Sequence, residues 1–323
     1  MNVLGVETSC DETAAAVVGP DGVRSDVVFG QAVHEAYGGV VPELASRAHV
    51  EQIVAVVRAA CAQAGIERPD AVAATAGPGL IGAVLVGLAF GRSAAQGWGV
   101  PFVGVNHLEG HLLSPLLDDP APAFPFLGFV VSGGHTTLYL AEGVGRYHTL
   151  AETVDDAVGE AYDKVARLLG LGYPGGPFVD RLAAQGDPTA VPLPRPRADG
   201  LDMSFAGLKT AVRAWLEKHP HTRPEDLAAS FQEAVSDVLI DRALRASRSV
   251  GVERVAIGGG VAANSRIRAR FAASGLQAFL PPRSRCTDNG AMIAATGYWK
   301  LRSGLAPSLD FAAIASDPLA GIG

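Results

Sequence analysis

Cysteine is scarce in this sequence: Cys10, Cys61 and Cys286 are the only three, an odd number with no C-x-x-C pair. That excludes a disulfide framework and a cysteine-based zinc ribbon, and it points to a reducing compartment. Long apolar runs are missing too. The longest, Leu80 to Phe90, falls short of the roughly 20 residues that span a bilayer. The opening MNVLGVETSC has no basic stretch of the kind that starts a secretion signal. The expectation is a soluble, cytoplasmic chain with no membrane partner. No G-x-x-x-x-G-K-[ST] occurs, which excludes a P-loop protein. Nor does H-E-x-x-H: the one His-Glu pair, His34-Glu35, has no second histidine three residues on, so a metallopeptidase is excluded as well.

What is present suits a large, well-filled globular protein. A length of 323 residues exceeds the usual single-core limit and predicts two domains of roughly 150 residues, and 48% hydrophobic residues can fill both cores. Charge is sparse and uneven. The net is −7, yet Arg195 to Arg285 holds fifteen Lys/Arg against nine Asp/Glu, a local +6. Such asymmetry allows a phosphate-binding surface on a protein that is acidic as a whole; the competing reading is ordinary solvated helix faces.

The central stretch is Asn106-His107-Leu108-Glu109-Gly110-His111. Four residues separate the two histidines, so a helix sets both imidazoles on one face, aimed at one ion. Gly110 counts against a well-formed helix there. Two neutral imidazoles favour zinc, iron or a similar transition ion over magnesium, and a third ligand is needed. Asp288, in Cys286-Thr287-Asp288-Asn289-Gly290, is the best-placed carboxylate, although it also reads as the N-cap of the apolar helix from Ala291 to Trp299.

Two hairpins punctuate the chain. Val3 to Val6 and Ala14 to Val18 read as strands around a polar turn that carries Asp11 and Glu12; Phe126 to Val131 and Thr137 to Leu140 flank Ser132-Gly133-Gly134-His135-Thr136. The repeated device predicts an internal duplication, with two similar α/β lobes facing a cleft. Between them lie a helix from Val41 to Ala64, a strand from Ala71 to Thr75, and Gly77-Pro78-Gly79-Leu80-Ile81-Gly82 leading a helix to about Trp98. The last run matches G-x-G-x-x-G, but no acid occurs between Asp70 and Glu109 to hold a ribose, so it reads as a tight turn into a helix packed closely through Gly82, Gly87 and Gly91.

In the second half, Glu152 to Gly170 reads as a helix whose first acids, Asp155 and Asp156, serve its macrodipole, while Asp163 lies too far in for that. A loop and a helix from Phe178 to Gln185 follow, then a proline-rich stretch from Pro188 to Asp199 and helices at Leu208 to Lys218 and Pro224 to Ser249. A strand from Arg254 to Ile257 runs into Gly258-Gly259-Gly260, and a basic helix starts at Ser265. Consecutive glycines at that junction let backbone amides approach a phosphate or ribose.

Together these segments carry a resemblance. GVETSCDET (5–13), GGVVPELASRAH (38–49), TAGPGLIGA (75–83), VNHLEGH (105–111), VSGGHT (131–136), GEAYDKVARLLGL with YPGGP (159–177), FAGLKT (205–210), GGGVAAN (258–264) and CTDNGAMIA (286–294) occur in the order found in the tRNA N6-adenosine threonylcarbamoyltransferases, once described as O-sialoglycoprotein endopeptidases. The chain closely resembles that family over nearly its whole length. Ala206 stands where many members have Ser, and so does Ala262.

The resemblance implies an α/β, two-lobed, actin-like, Hsp70-like and sugar-kinase-like ATPase fold with duplicated RNase H-like lobes. The lobes are expected at 1–106 with 300–323, and at 107–299 with a helical insertion and the basic region. It implies a metal held by His107, His111 and Asp288, one divalent ion per chain, iron before zinc, and an adenine nucleotide, threonylcarbamoyl-AMP or ATP, bound through Val130, Val131, Ser132, Gly133, Gly134, Asp163, Gly176, Asp180 and Asn264. The implied reaction moves a threonylcarbamoyl group from threonylcarbamoyl-AMP to the N6 amine of the adenosine beside the anticodon, releasing AMP. Asp11 and Glu12 are the candidates for orienting that amine or taking its proton. Implied partners are the tRNA anticodon stem-loop, a smaller paralogue, an ATPase and the adenylate-forming synthase. The RNA backbone is expected across 195–285, on Arg266, Arg268 and Arg270, and the helices at 44–60 and 80–98 are expected to offer pairing surfaces. The alternative on the same fold is a small-molecule kinase or ATP-binding module.

Overall fold

The computed structural model describes residues 1–196, 198–305, 307–316 and 319. Two compact units emerge: one of Met1–Ala121, Val144–Tyr147 and the described part of Thr287–Gly323, the other of Pro122–Gly143 and His148–Cys286.

The first unit is built on a five-stranded sheet of β1 (Val3–Glu7), β2 (Glu12–Gly19), β3 (Gly22–Gly30), β4 (Ala71–Gly77) and β5 (Phe102–Asn106), in the order β3-β2-β1-β4-β5. β1 runs antiparallel to β2 and parallel to β4; β4 is parallel to β5. Every side chain of β1 and β4 is buried, as central strands covered on both faces require. Alternation along β1 decides which face each residue serves. Leu4 and Val6 pack with Ile53, Val57 and Ala60 of α1 (Pro42–Ala64) and Leu88 of α2 (Ile81–Trp98). Val3 packs the opposite way, with Ala71, Ala73 and the C-terminal helix. Gly87 of α2 lies against Thr8 and Gly91 against Ala74 and Phe102, so the close-packing reading of those glycines holds.

Between β5 and the second unit comes α3 (His107–Leu113). The second unit repeats the plan with β6 (Phe126–Val131), β7 (Thr136–Gly143), β8 (Arg146–Glu152), β9 (Arg254–Gly258) and β10 (Gln277–Phe279), ordered β10-β9-β6-β7-β8. β6 is antiparallel to β7 and parallel to β9, which is parallel to β10. The order and recorded directions match those of the first sheet, strand for strand. The duplication expected from two hairpins is therefore present at the level of topology. Helices α4 (Val158–Leu168), α5 (Gly175–Ala183), α6 (Ala206–Lys218), α7 (Pro224–Val250) and α8 (Ser265–Ala272) complete this unit, around Phe129, Tyr162, Phe205, Phe231 and Phe271.

The last helix, α9 (Gly290–Arg302), returns to the first unit. A Cβ on Gly5 would lie 2.3 Å from the Ala294 nitrogen, and one on Gly290 would lie 2.5 Å from the Ala15 carbon; β1 and β2 touch this helix backbone to backbone. Boundaries at 107 and 300 differ from this division, because α3 and α9 pack on each other and on the first sheet. Of the expected 300–323 portion, residues 306, 317, 318 and 320–323 lie outside the described residues, as does Arg197 in the proline-rich stretch. Asp155 and Asp156 precede α4 rather than starting it, since β8 runs to Glu152 and the helix begins at Val158.

Candidate functional site

α3 forms in spite of Gly110 because its first turn is capped. Asn106, extended at φ −73°, accepts the Leu108 amide at 2.8 Å and the Glu109 amide at 3.3 Å on its side-chain oxygen. Glycine is also what fits at 110: a Cβ there would meet Ile293 Cδ1 at 3.0 Å and Met292 Cγ at 3.3 Å. The helix lies flush on α9 and brings both histidines to the loop that precedes it.

There the side chains converge. Nε2 of His111 is 3.0 Å from Asp288 Oδ1, and Nε2 of His107 is 3.5 Å from the same oxygen. One potential ligand atom from each of the three residues lies within 4.8 Å of the other two. Asp288 is not the cap of α9. That role belongs to Asn289, whose side chain accepts the Met292 amide at 2.9 Å and leaves Asp288 facing the histidines.

Behind His107 stands a group that the spacing argument missed. Glu7, at the end of β1 and fully buried, places Oε2 3.0 Å from His107 Nδ1. The hydroxyl of Thr75 donates to the same oxygen at 2.6 Å, and the Ser9 amide donates to Oε1 at 2.5 Å. Ser9 Oγ is 3.1 Å from Nδ1. Burial alone disfavours an imidazolium at His107, but Asp288 and Glu7 outweigh it and push its pKa up to about 9. The pocket thus favours a positive charge where an ion would sit, and its donor set of two imidazoles and a carboxylate suits a divalent transition metal. Nδ1 of His111 is buried and has no hydrogen-bond partner among the described residues. These observations fit a metal centre.

A second buried carboxylate supports α3 from its other side. Glu109 accepts from Lys300 Nζ at 2.6 Å and from the Tyr147 hydroxyl at 3.0 Å. Lys300 lies on α9, so the pair fixes the two helices that carry the histidines and follow the aspartate. Glu7 and Glu109 had a sequence signal only in that each interrupts an apolar stretch within a motif.

Asp11 and Glu12 lie at the tip of the first hairpin, in the same unit as the histidines. Burial, then the negative charges of Asp288, Asp11 and Glu7, push the Glu12 pKa up to about 10. Burial and the same aspartates push the Cys10 thiol well up, so it is not a thiolate.

The residues expected to bind the nucleotide all fall in the second unit, around three helix starts. Ser132 accepts the Gly159 amide at 3.1 Å, which sets the turn against the first turn of α4. Asp163 Oδ1 accepts the Gly175 amide at 2.7 Å at the start of α5. Asp180 accepts from the Ser265 amide and, at 2.7 Å, from its hydroxyl at the start of α8. Asn264 caps α8 through the Ile267 amide at 3.0 Å and donates to Gln232 Oε1 at 2.9 Å. Open space lies where a Cβ would project from Gly133, Gly134 and Gly176. Gly259 differs: its φ of 93° and a virtual Cβ 2.4 Å from the Val131 carbonyl oxygen demand glycine for close approach to β6. Val130 and Val131 point their side chains into the core, so only their backbone can contact a ligand. Amides at gathered helix starts are suited to phosphate.

The arginines expected to meet RNA are engaged within the protein. Arg266 and Arg270 both bind Glu233, Arg270 reaches Asp237 at 2.7 Å, and Arg268 donates to the carbonyls of Ala262 and Pro281.

Comparison with known proteins agrees with this geometry. A family model for tRNA N6-adenosine threonylcarbamoyltransferase matches residues 22–295. The tRNA N6-adenosine threonylcarbamoyltransferase of Anaeromyxobacter dehalogenans strain 2CP-C is 54% identical over 319 residues, 94% of this chain and 95% of the relative. Its counterpart in Trichlorobacter lovleyi is 52% identical over 335 residues, 99% and 97%. Among solved structures, full-length HypF in a phosphate- and nucleotide-bound form superposes with a TM-score of 0.65 at 13% identity, over 94% of this chain and 56% of that longer one. The activator of the 2-hydroxyisocaproyl-CoA dehydratase from Clostridium difficile, with bound ADPNP, superposes at 0.53 and 13% identity, over 95% and 99%. Likeness at such identity speaks for the fold alone, in line with the duplicated five-stranded α/β plan. No helix among the described residues is long and apolar enough to cross a membrane.

Proposed function

The chain belongs to the tRNA N6-adenosine threonylcarbamoyltransferase family, and from that membership we infer that it transfers a threonylcarbamoyl group from threonylcarbamoyl-AMP to the N6 amine of the adenosine 3′ to the anticodon, in tRNAs that read codons starting with A. A bond forms between N6 and the carbamoyl carbon, the bond from that carbon to the phosphate oxygen breaks, N6 loses a proton and AMP departs. The single observation that carries the mechanistic reading is the convergence of His107, His111 and Asp288. A kinase that uses magnesium through carboxylates and water has no need of two imidazoles there.

His107, His111 and Asp288 would hold one divalent transition ion, iron first and zinc second. When bound, such an ion supplies Lewis-acid polarisation of the carbonyl or orientation of the donor's oxygens. The chain's own residues do the rest. The turn at Ser132, Gly133 and Gly134 and the starts of α4, α5 and α8 offer amides to phosphate and ribose. Asp163, with one oxygen accepting from backbone, and Asp180, with both oxygens turned to the Ser265 amide, hold those starts in place and offer their remaining lone pairs to hydroxyls. Asp11 and Glu12 orient the incoming amine. A tRNA substrate supports a cytoplasmic location for this work.

Partner proteins follow from the same membership. Val50 and Val54 on α1 and Ile81 and Leu85 on α2 are exposed, two i,i+4 apolar pairs on helices that pack together. That face supports pairing with the smaller paralogue. The ATPase and the synthase rest on the resemblance alone.

Purification without chelators, followed by metal analysis and an assay for threonylcarbamoyladenosine, tests the reading. A stoichiometric transition metal together with product supports it; a metal-free chain that makes product in the presence of chelator overturns the metal role.

A further inference from the structure

Glu7 carries the strongest unassigned observation. A carboxylate with no exposed surface is costly unless every oxygen is satisfied. Here the satisfaction is specific. Oε1 takes the Ser9 amide, and Oε2 takes the Thr75 hydroxyl at 2.6 Å while facing His107 Nδ1 at 3.0 Å.

With Oε1 accepting from the Ser9 amide and Oε2 from the Thr75 hydroxyl, the carboxylate meets the ring as an acceptor. Nδ1 of His107 must therefore carry a proton, whatever happens at its other nitrogen. That leaves Nε2 as the only atom of the ring able to offer a lone pair, and Nε2 is the atom turned toward Asp288. His111 has no such director among the described residues, where its Nδ1 finds no hydrogen-bond partner. The two histidines are thus unequal: one is oriented by a fixed carboxylate and the other by packing alone.

We propose that Glu7 is a positioning residue of the metal centre, holding the His107 proton on Nδ1 so that Nε2 is presented to the ion. The proposal rests on the metal reading above. It joins the hairpin strand β1 to the centre through Glu7, and strand β4 through Thr75, so that the sheet itself sets the ring. Carboxylate, histidine and metal in series is a known physical arrangement in which the outer group fixes the tautomer and raises ligand basicity.

Glu7→Gln is the test, because it keeps size and shape. Its Oε1 still accepts from Ser9, but the amide nitrogen that replaces Oε2 donates, so Nδ1 of His107 must accept and the proton moves to Nε2. The full chain, labelled with 15N-histidine and loaded with zinc, is read in two ways. Wild type shows a downfield Nδ1 proton, assigned by its loss in His107→Gln, and this signal disappears in Glu7→Gln. Zinc affinity, measured by competition with a chelator, falls roughly 10–100-fold. Thr75→Val, which removes a donor from the same carboxylate without touching the histidine, weakens zinc less and keeps the Nδ1 signal. Zinc bound equally tightly by wild type and Glu7→Gln overturns the role of Glu7 alone. An affinity loss with the Nδ1 signal intact also overturns it, since the defect is then one of packing. A wild-type chain that binds neither zinc nor iron overturns the metal reading itself.

Discussion

Lys300 Nζ sits 2.6 Å from Glu109 Oε2, and Glu109 lies between the two histidines of α3 with 2% of its surface exposed. The ion pair ties the helix that carries His107 and His111 to the helix that follows Asp288. Removing the lysine leaves a buried carboxylate whose remaining partner among the described residues is Tyr147. Lys300→Met is expected to destabilise the chain by about 3 kcal/mol in denaturant unfolding, and Glu109→Gln combined with Lys300→Met by clearly less. A double variant as unstable as the sum of the singles would show that the two groups act independently.

Asp155 caps a helix fifty residues away. Its Oδ1 accepts the Phe205 amide at 2.7 Å and the Ala206 amide at 3.2 Å at the start of α6, and its Oδ2 accepts from the Ser204 hydroxyl at 2.5 Å. Burial would raise its pKa, but these hydrogen bonds outweigh it and the net shift is downward. A depressed folded-state value means that the contribution to stability is complete above the unfolded value of about 3.9 and is lost as pH falls through the folded one. Asp155→Ala should cost about 1 kcal/mol at neutral pH, a deficit relative to wild type that shrinks only below about pH 4. A deficit that vanished between pH 6 and 8 would contradict this account.

Arg266 and Arg270 share Glu233, so reversing them sets like charges side by side. Arg266→Glu with Arg270→Glu should lower the melting temperature. Arg283, exposed and free to meet solvent, is the better probe of an RNA surface in this region. Arg283→Glu should leave stability unchanged and reduce the salt slope of tRNA binding by roughly 0.7 to 0.9. An unchanged slope places the RNA elsewhere.

The exposed face of α1 and α2 gives a separate expectation. Val54→Asp with Leu85→Asp should abolish co-elution with the proposed smaller paralogue while leaving the melting temperature within the small range of surface changes. Undiminished co-elution would move the pairing surface off these helices.

The histidine pair was legible because its spacing is local: four residues on one helix need no knowledge of the fold. Gly110 misled for a tertiary reason, the approach of Ile293 and Met292, which no window around residue 110 contains. Both hairpins were legible from continuous apolar runs around polar or glycine-rich turns, and hence so was the duplication. Their third strands were not. β3 is a partly exposed edge strand with Arg24, Ser25 and Asp26 in it, β8 is similarly mixed, and β10 is three residues long. Asp155 and Asp156 looked like helix starts because acids usually serve that role, whereas Asp155 serves a different helix. Glu7 was illegible as a partner of His107 because 100 residues separate them, and only the pairing of β1 with β4 and of β4 with β5 brings their ends together.

The most direct test of the central claim is to incubate the purified chain, with the proposed partner proteins added, with threonylcarbamoyl-AMP and unmodified tRNA, digest to nucleosides, and look for threonylcarbamoyladenosine by mass spectrometry. Wild type should give the product, and His107→Ala and Asp288→Ala should lose it by more than the roughly 10–100-fold that outer-shell changes cost. Full product from either variant would contradict the metal centre, and no product from wild type would contradict the transfer itself.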